Sequence, residues 1–238
     1  MKACIFVAAG DISDRYFEAL KNLSPRPFVI AIDGGYEYLK KKNFKPDMAV
    51  GDFDSLGYIP EDVETELHPV RKDKTDMLLA VDTAILQGFD TAFVLGAFGG
   101  TRLDHTYSNL QNLFYESDKF RMILLDDRAL CFSAENEIVT IADRALEISS
   151  EVPGSAPYIH VPENLVELAA VRESYLSIFA LEKARVTIRG CSYDGEGLEL
   201  TNRFTLGTSN YITEKEATIH AKGPVLIMFS GRHPENAM

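Results

Sequence analysis

Short apolar runs recur through the first half of the chain, each closed by a polar break and followed by a stretch with helical spacing. The runs predict strands over Lys2–Ala9, Phe28–Ile32, Met48–Val50, Glu66–Val70, Ala92–Leu95 and Arg121–Leu125. Between the later ones, a helix beginning at Thr75 places Met77, Leu78, Val81 and Ile85 on one face. A second begins near Thr101 and aligns Leu103, Leu110, Leu113 and Phe114. Strands rich in Val, Ile and Phe alternating with helices predict βαβ units and a mainly parallel sheet.

From about Cys131 the rhythm changes. Glu137–Ala142, Ala145–Ser149, Tyr175–Leu181, Arg185–Arg189, Leu198–Leu200, Ala217–Ala221 and Val225–Ser230 read as short strands. Asp194-Gly195 and Lys222-Gly223-Pro224 supply turn chemistry between them. Many short strands with frequent turns predict an antiparallel sandwich or barrel-like domain. The expected organisation is an α/β domain over residues 1–130 followed by a β-domain over 131–238, with Pro162–Ser174 as a helix or an insertion.

Composition narrows the setting. With 46% hydrophobic and 25% charged residues, the 238-residue chain can bury a substantial core. Met1-Lys2 leads into an apolar run that reaches Gly10 and Asp11 without an A-x-A-like site, which predicts a buried strand rather than a leader. No apolar run is long enough to cross a bilayer. Cys4, Cys131 and Cys191 are odd in number and widely spaced, which argues for a reducing, cytoplasmic setting and against a disulfide framework. The formal charge of −12 disfavours nucleic acid and anionic membranes as partners. Nucleotides are still admissible if divalent cations stand between carboxylates and phosphates.

The chemistry collects where strands end. In a parallel sheet, ligands bind beyond the carboxyl ends of the strands. Asp33-Gly34-Gly35 follows the second predicted strand, and Gly51-Asp52-Phe53-Asp54-Ser55 the third. Asp73-Lys74-Thr75-Asp76 follows the fourth, and Gly99-Gly100-Thr101-Arg102-Leu103-Asp104-His105 the fifth. Carboxylates gathered on one edge repel one another, and magnesium, which prefers such oxygens, offsets that repulsion. Asp52 and Asp54 bracket Phe53 so as to share one side of an extended chain. Thr75 and Thr101 are expected as N-caps whose helices offer free amides to an anion. Lys74 and Arg102 are the expected phosphate counter-charges, Arg102 with a bidentate grip. No P-loop, G-x-G-x-x-G, H-E-x-x-H or G-x-S-x-G pattern is present. Direct transfer between substrates on a metal template is the mechanism left by these absences.

These four motifs, in this order, resemble those of the thiamine pyrophosphokinase family, and Gly207-Thr208-Ser209-Asn210 is similar to the segment of its thiamine-binding domain. The resemblance implies an α/β catalytic domain followed by a β-sandwich, working as a homodimer with the active site at the subunit interface. It implies transfer of the terminal diphosphate of ATP to the hydroxyethyl oxygen of thiamine, with release of AMP. Asp33, Asp52, Asp54 and Asp76 would surround magnesium, with Asp54, Asp76 and Asp104 as the catalytic carboxylates. Asp33, Ser55, Lys74, Thr75 and Arg102 would bind nucleotide, Arg102 and Asp104 also orienting thiamine, and Ser209 and Asn210 would contact thiamine from the sandwich. The family's animal and fungal members carry a Trp in the final strand region. This chain has none, and Ile227 stands there, with Tyr193 or Tyr211 as candidate replacements. The rival readings are a diphosphotransferase for another heterocyclic alcohol such as a hydroxymethylpterin, a sugar-nucleotide transferase, and a non-catalytic nucleotide or thiamine sensor.

Overall fold

The computed structural model describes residues 1–152 and 154–232, which divide into two compact units. The first comprises Lys2–Tyr115 and Met122–Asp126. Its elements run β1 (Ala3–Val7), α1 (Asp14–Lys21), β2 (Phe28–Ile32), α2 (Gly35–Lys41), β3 (Met48–Gly51), β4 (Glu64–Leu67), α3 (Asp76–Leu86), β5 (Thr91–Leu95), α4 (Leu103–Asn112) and β6 (Arg121–Leu125). The strand order is β6-β5-β1-β2-β3-β4. β1 pairs in parallel with both β2 and β5, and the parallel pairing continues through β3 to β4. Helices cover such sheets on both faces, so the inner strands are apolar throughout rather than alternating. The runs CIFV of β1, VIAI of β2, MAVG of β3 and TAFVL of β5 are indeed buried at every position.

The chain builds outward from β1 to β4, then returns to the other flank of β1 with β5. The point where that direction reverses lies between the ends of β1 and β5, the place where open α/β sheets bind ligands. Two sequence expectations shift here. The edge strand β4 occupies Glu64–Leu67, not Glu66–Val70, because its ETEL pairs with the MAVG of β3 and leaves His68–Val70 beyond the ladder. Helix α4 starts at Leu103 with Arg102 at the N-cap position and no side-chain cap, so Thr101 does not cap it. Leu103 itself is 80% exposed. His105, Ser108 and Asn109, at i, i+3, i+4 spacing, are the α4 residues turned to the cleft, and that orientation leaves Leu103 outside.

The second unit comprises Glu116–Arg121 and the residues from Asp127 onward. It runs β7 (Ala129–Ala134), β8 (Glu137–Ala142), β9 (Ala145–Ser150), β10 (Ile159–Val161), α5 (Glu163–Leu168), β11 (Tyr175–Ala180), β12 (Ala184–Arg189), β13 (Gly195–Leu200), β14 (Glu216–Lys222) and β15 (Val225–Ser230). One antiparallel sheet is ordered β10-β9-β8-β14-β12-β13, and β11, β15 and β7 form a second antiparallel set. Burial alternates strictly along β8 and β12, so their sheet has one apolar face turned inward. The segment 162–174 is α5 followed by a single 3-10 turn over Val171–Glu173. Arg121, the first residue of β6, falls in this unit, where it forms with Glu137 a fully buried ion pair, Nη2 to Oε1 at 2.5 Å, with side chains 1% and 0% exposed. Arg121 Nη1 also donates to the Ser133 carbonyl, and Glu137 Oε2 accepts the Glu135 amide.

Candidate functional site

A cleft of about 370 Å³ opens at the carboxyl ends of β1, β2 and β5, wholly within the first unit. Its floor follows from the ladder. Beyond the strand ends the backbone pairing continues, with Gly10 N donating to Gly96 O and Asp11 N to Phe98 O. A Cβ on Gly10 would sit 2.3 Å from the Phe98 carbonyl, so only glycine lets the two chains close here. Gly35 is held the same way: its Cβ would lie 1.8 Å from the Val7 carbonyl, which seats the start of α2 directly on the end of β1.

That seating fixes Asp33. The residue has a left-handed φ of 45°, and its Oδ2 accepts a hydrogen bond from Ser55 Oγ at 2.8 Å. Its Oδ1 is buried with no hydrogen-bond partner. Burial pushes the Asp33 carboxyl above its ordinary range, and the charges of Asp76 and Asp52 add to the rise.

The Gly51–Ser55 motif departs from its expected geometry. Phe53 is not extended: it has φ of 56° and is 2% exposed. The chain turns here, with the Asp54 amide donating to Asp52 Oδ1 at 3.3 Å. The buried phenyl ring pins the apex, and the turn throws both carboxylates to one side. Carboxylate oxygens of Asp33, Asp52 and Asp54 thereby lie within 4.8 Å of one another.

Asp76 joins from the first turn of α3, whose N-cap Thr75 accepts the Leu78 amide at 3.4 Å. Lys72 links the two halves of the cluster, its Nζ 2.5 Å from Asp52 Oδ2 and 2.8 Å from Asp76 Oδ1. Partial burial works against the Lys72 ammonium, but Asp52 and Asp76 together hold its pKa above the usual lysine range. Asp52 likewise overcomes its burial through Lys72 and lies below the usual carboxylate range.

The lysine expected at the phosphates behaves differently. Lys74 Nζ is 2.6 Å from Asp82 and 2.5 Å from the Tyr115 hydroxyl, and these partners raise its pKa. It does not line the cleft. Positions 72 and 74 share an irregular segment, and spacing alone does not say which one turns inward. Arg102 lines the cleft, but its bidentate grip is on Asp104, through Nε at 2.9 Å and Nη2 at 2.5 Å. Arg102 holds the Asp104 carboxyl down at about 2. Asp33, Asp54, Ser55, Thr75 and Asp76 line the cleft, whereas Asp52 and Lys72 are not among its lining residues and Asp104 stands outside it on the exposed arginine pair.

Several lining residues carry no chemical signal in the sequence: Ala8, Ala9, Ala97, Ser108 and Asn109. Asn109 Nδ2 donates to the Ala97 carbonyl and ties α4 to the cleft floor.

The Ser209-Asn210 segment belongs to the second unit. Ser209 has φ of 60°, and its amide donates to Ser177 Oγ. Asn210 is 5% exposed: Oδ1 accepts the Tyr193 and Tyr211 amides, and Nδ2 donates to the Tyr193 carbonyl. Its amide therefore clamps the loop that carries Tyr193. Ile227 is fully buried in β15 and presents no face to a ligand, whereas Tyr193 is 68% exposed.

Residues 19–124 match the model of the thiamin pyrophosphokinase catalytic domain, and residues 158–226 that of the thiamin pyrophosphokinase vitamin B1 binding domain. Comparison with the curated proteins gives no match. Among solved structures, the chain is similar to thiamine pyrophosphokinase from Bacillus subtilis, with a TM-score of 0.73 at 22% identity over 96% of this chain and 99% of that one. Thiamin pyrophosphokinase from Candida albicans gives 0.68 at 15% identity, over 96% and 89%. The yeast thiamin pyrophosphokinase gives 0.69 at 14%, over 97% and 86%. At these identities the structural likeness concerns the fold.

Proposed function

The chain belongs to the thiamin pyrophosphokinase family, and from that premise we propose that it transfers the diphosphate of ATP to thiamine on a magnesium–aspartate template, giving thiamine diphosphate and AMP. The observation that carries the reading is the cluster itself. Asp33, Asp52 and Asp54 bring carboxylate oxygens within 4.8 Å of one another, and Asp33 keeps a buried oxygen without a hydrogen-bond partner. Such an oxygen is costly unless a cation satisfies it, and an all-carboxylate donor set suits magnesium.

Asp33, Asp52, Asp54 and Asp76 would hold the metal. Bound there, it would neutralise phosphate oxygens and the charge collecting on the departing AMP. The chain's own residues do the rest. Thr75 and the first amides of α3 face the cleft as an anion-binding helix start. Ser55 fixes Asp33, and Arg102 stands at the cleft wall, able to exchange Asp104 for phosphate. In the transfer, the thiamine hydroxyl oxygen bonds to the β-phosphorus. The bond from that phosphorus to the bridging oxygen breaks, its electron pair leaving on AMP. The hydroxyl proton passes to Asp54 or Asp76, which line the cleft, or to Asp104 once Arg102 has exchanged it for phosphate, as general base.

The division of labour follows the two family domains: residues 1–130 for nucleotide and magnesium, residues 131–238 for thiamine, with the loop clamped by Asn210 and Ser209 as the thiamine contact. The homodimer with a shared active site belongs to the same proposal, as does a cytoplasmic setting, which suits three buried cysteines that form no disulfide.

The test is a product assay on purified protein with ATP, magnesium and thiamine, with and without EDTA, separating AMP from ADP. AMP forming in step with thiamine diphosphate, and neither forming in EDTA, is the expected outcome. ADP in place of AMP would refute diphosphate transfer. AMP formed only with a hydroxymethylpterin would refute the acceptor, and no turnover with any alcohol would leave a binding protein.

A further inference from the structure

Lys72 is the cation that the aspartates already hold. Its side chain is 13% exposed, and its ammonium touches Asp52 and Asp76 at once. Asp52 Oδ2 lies 2.5 Å from Nζ and receives its hydrogen bond, and Asp76 Oδ1 lies 2.8 Å away. Both carboxylates hold the charge of the ammonium. Lys74, two residues on, is committed to Asp82 and Tyr115 and cannot take over.

We propose that Lys72 is a positioning residue that serves as the resident counter-ion of the cluster, so that the aspartates refuse a lone divalent cation and accept one together with nucleotide phosphates. This inference rests on the reading of Asp33, Asp52, Asp54 and Asp76 as metal ligands. The physical argument is a competition. A divalent ion entering without nucleotide meets a fixed positive charge between two of its ligands. It must bind against that charge or drive Lys72, whose side chain is 13% exposed, off both carboxylates. A triphosphate removes the conflict, because its oxygens can receive the ammonium while the carboxylates receive the metal. Metal and nucleotide then favour each other's binding, and the coupling is reciprocal by linkage.

The test needs no turnover. The full-length protein is titrated with Mn2+ in the absence of nucleotide, and free Mn2+ is read by electron paramagnetic resonance. Lys72→Met is expected to bind Mn2+ roughly tenfold more tightly than wild type, in the range usual for such couplings. Lys72→Arg keeps the charge and is expected to stay near wild type. In EDTA, Lys72→Met should melt below wild type and gain more from added Mn2+. If the methionine variant does not fold, Lys72→Gln replaces it in the same titration.

Unchanged or weaker Mn2+ binding without Lys72 overturns the inference. A gain shared equally by the arginine variant also overturns it, since shape rather than charge would be responsible. Wild type titrated with a non-hydrolysable ATP analogue separates the two levels. Mn2+ uptake there that is lost in Asp54→Asn supports the metal reading, whatever Lys72 does. Its absence would overturn the metal reading and this inference with it.

Discussion

Replacing Asp54 by asparagine deletes one negative charge from three carboxylates whose oxygens lie within 4.8 Å of one another. At that separation two unit charges repel by about 0.9 kcal/mol in a water-like medium and about 3.5 kcal/mol at an effective dielectric of 20. Asp54 is exposed, so the lower figure applies to each of its neighbours. Lys72 neutralises part of that field, leaving a relief of about 1 kcal/mol on removing the charge. In a chain of this size that corresponds to a melting temperature higher by about 2–4 °C. Asp52→Asn removes a charge from the same cluster but leaves one acceptor oxygen for both the Lys72 ammonium and the Asp54 amide, so one of these two hydrogen bonds is lost. A hydrogen bond to a charged group contributes about 1.5–3 kcal/mol, which outweighs the relief and leaves a net loss of about 1 kcal/mol. The two substitutions therefore move stability in opposite directions, while both lower turnover by about a hundredfold or more. Thermal unfolding in EDTA, followed by circular dichroism, measures the first effect. The AMP product assay measures the second, and adding magnesium and ATP to the melt reads binding, since wild type should gain stability from them and neither variant should match it. An Asp54→Asn protein that melts below wild type in EDTA would refute the reasoning and make Asp54 a structural residue.

Two further outcomes are expected. Arg121→Met alone strands a buried Glu137 carboxylate and should cost about 3–5 kcal/mol in urea unfolding. Arg121→Met with Glu137→Leu should recover roughly half of that, and a double variant no better than the single would show that the pair is not the coupled unit described. Gly35→Ala drives a methyl group to 1.8 Å from the Val7 carbonyl, so the start of α2 must move. It should destabilise the fold by on the order of 3 kcal/mol in the same assay and weaken Mn2+ uptake by displacing Asp33. Unaltered uptake would separate Asp33 from the metal.

Where a run of large aliphatic residues is bounded by Pro, Gly or Asp, the sequence states its own strand. Phe28–Ile32, Arg121–Leu125, Glu137–Ala142 and Val225–Ser230 are found with the bounds read from the pattern. The strands β7 and β10 were not legible. β7 is ALCFSA, buried nearly throughout, so no polar alternation marks it, and its Leu130 and Phe132 stand among small residues. β10 is three residues long. In the cleft, Asp33, Asp54 and Asp76 were legible because each follows a strand of a parallel sheet, and the carboxyl-end rule gathers them without further information. The cations were not. Choosing Lys74 over Lys72 required knowing which way an irregular segment turns, and this is settled by Asp82, 8 residues on, and by Tyr115, 41 residues on. Arg102 was legible as a cleft residue, but its partner Asp104 was expected to serve substrate directly. The shape of the Asp52–Asp54 turn was hidden for another reason: a left-handed phenylalanine is rare enough that no local rule proposes it.

That phenylalanine ties two properties of the molecule that usually vary separately. With Phe53 sunk among core side chains at 2% exposure, the spacing of the acidic pair on either side is inherited from interior packing, not chosen at the surface. The acidic pair cannot drift while the interior stays fixed, nor can the interior be repacked without resetting the pair. Under the proposed metal role, a programme to retune this protein toward a larger or smaller cation would therefore begin beneath the turn, with the residues that cradle the ring, and leave the aspartates alone.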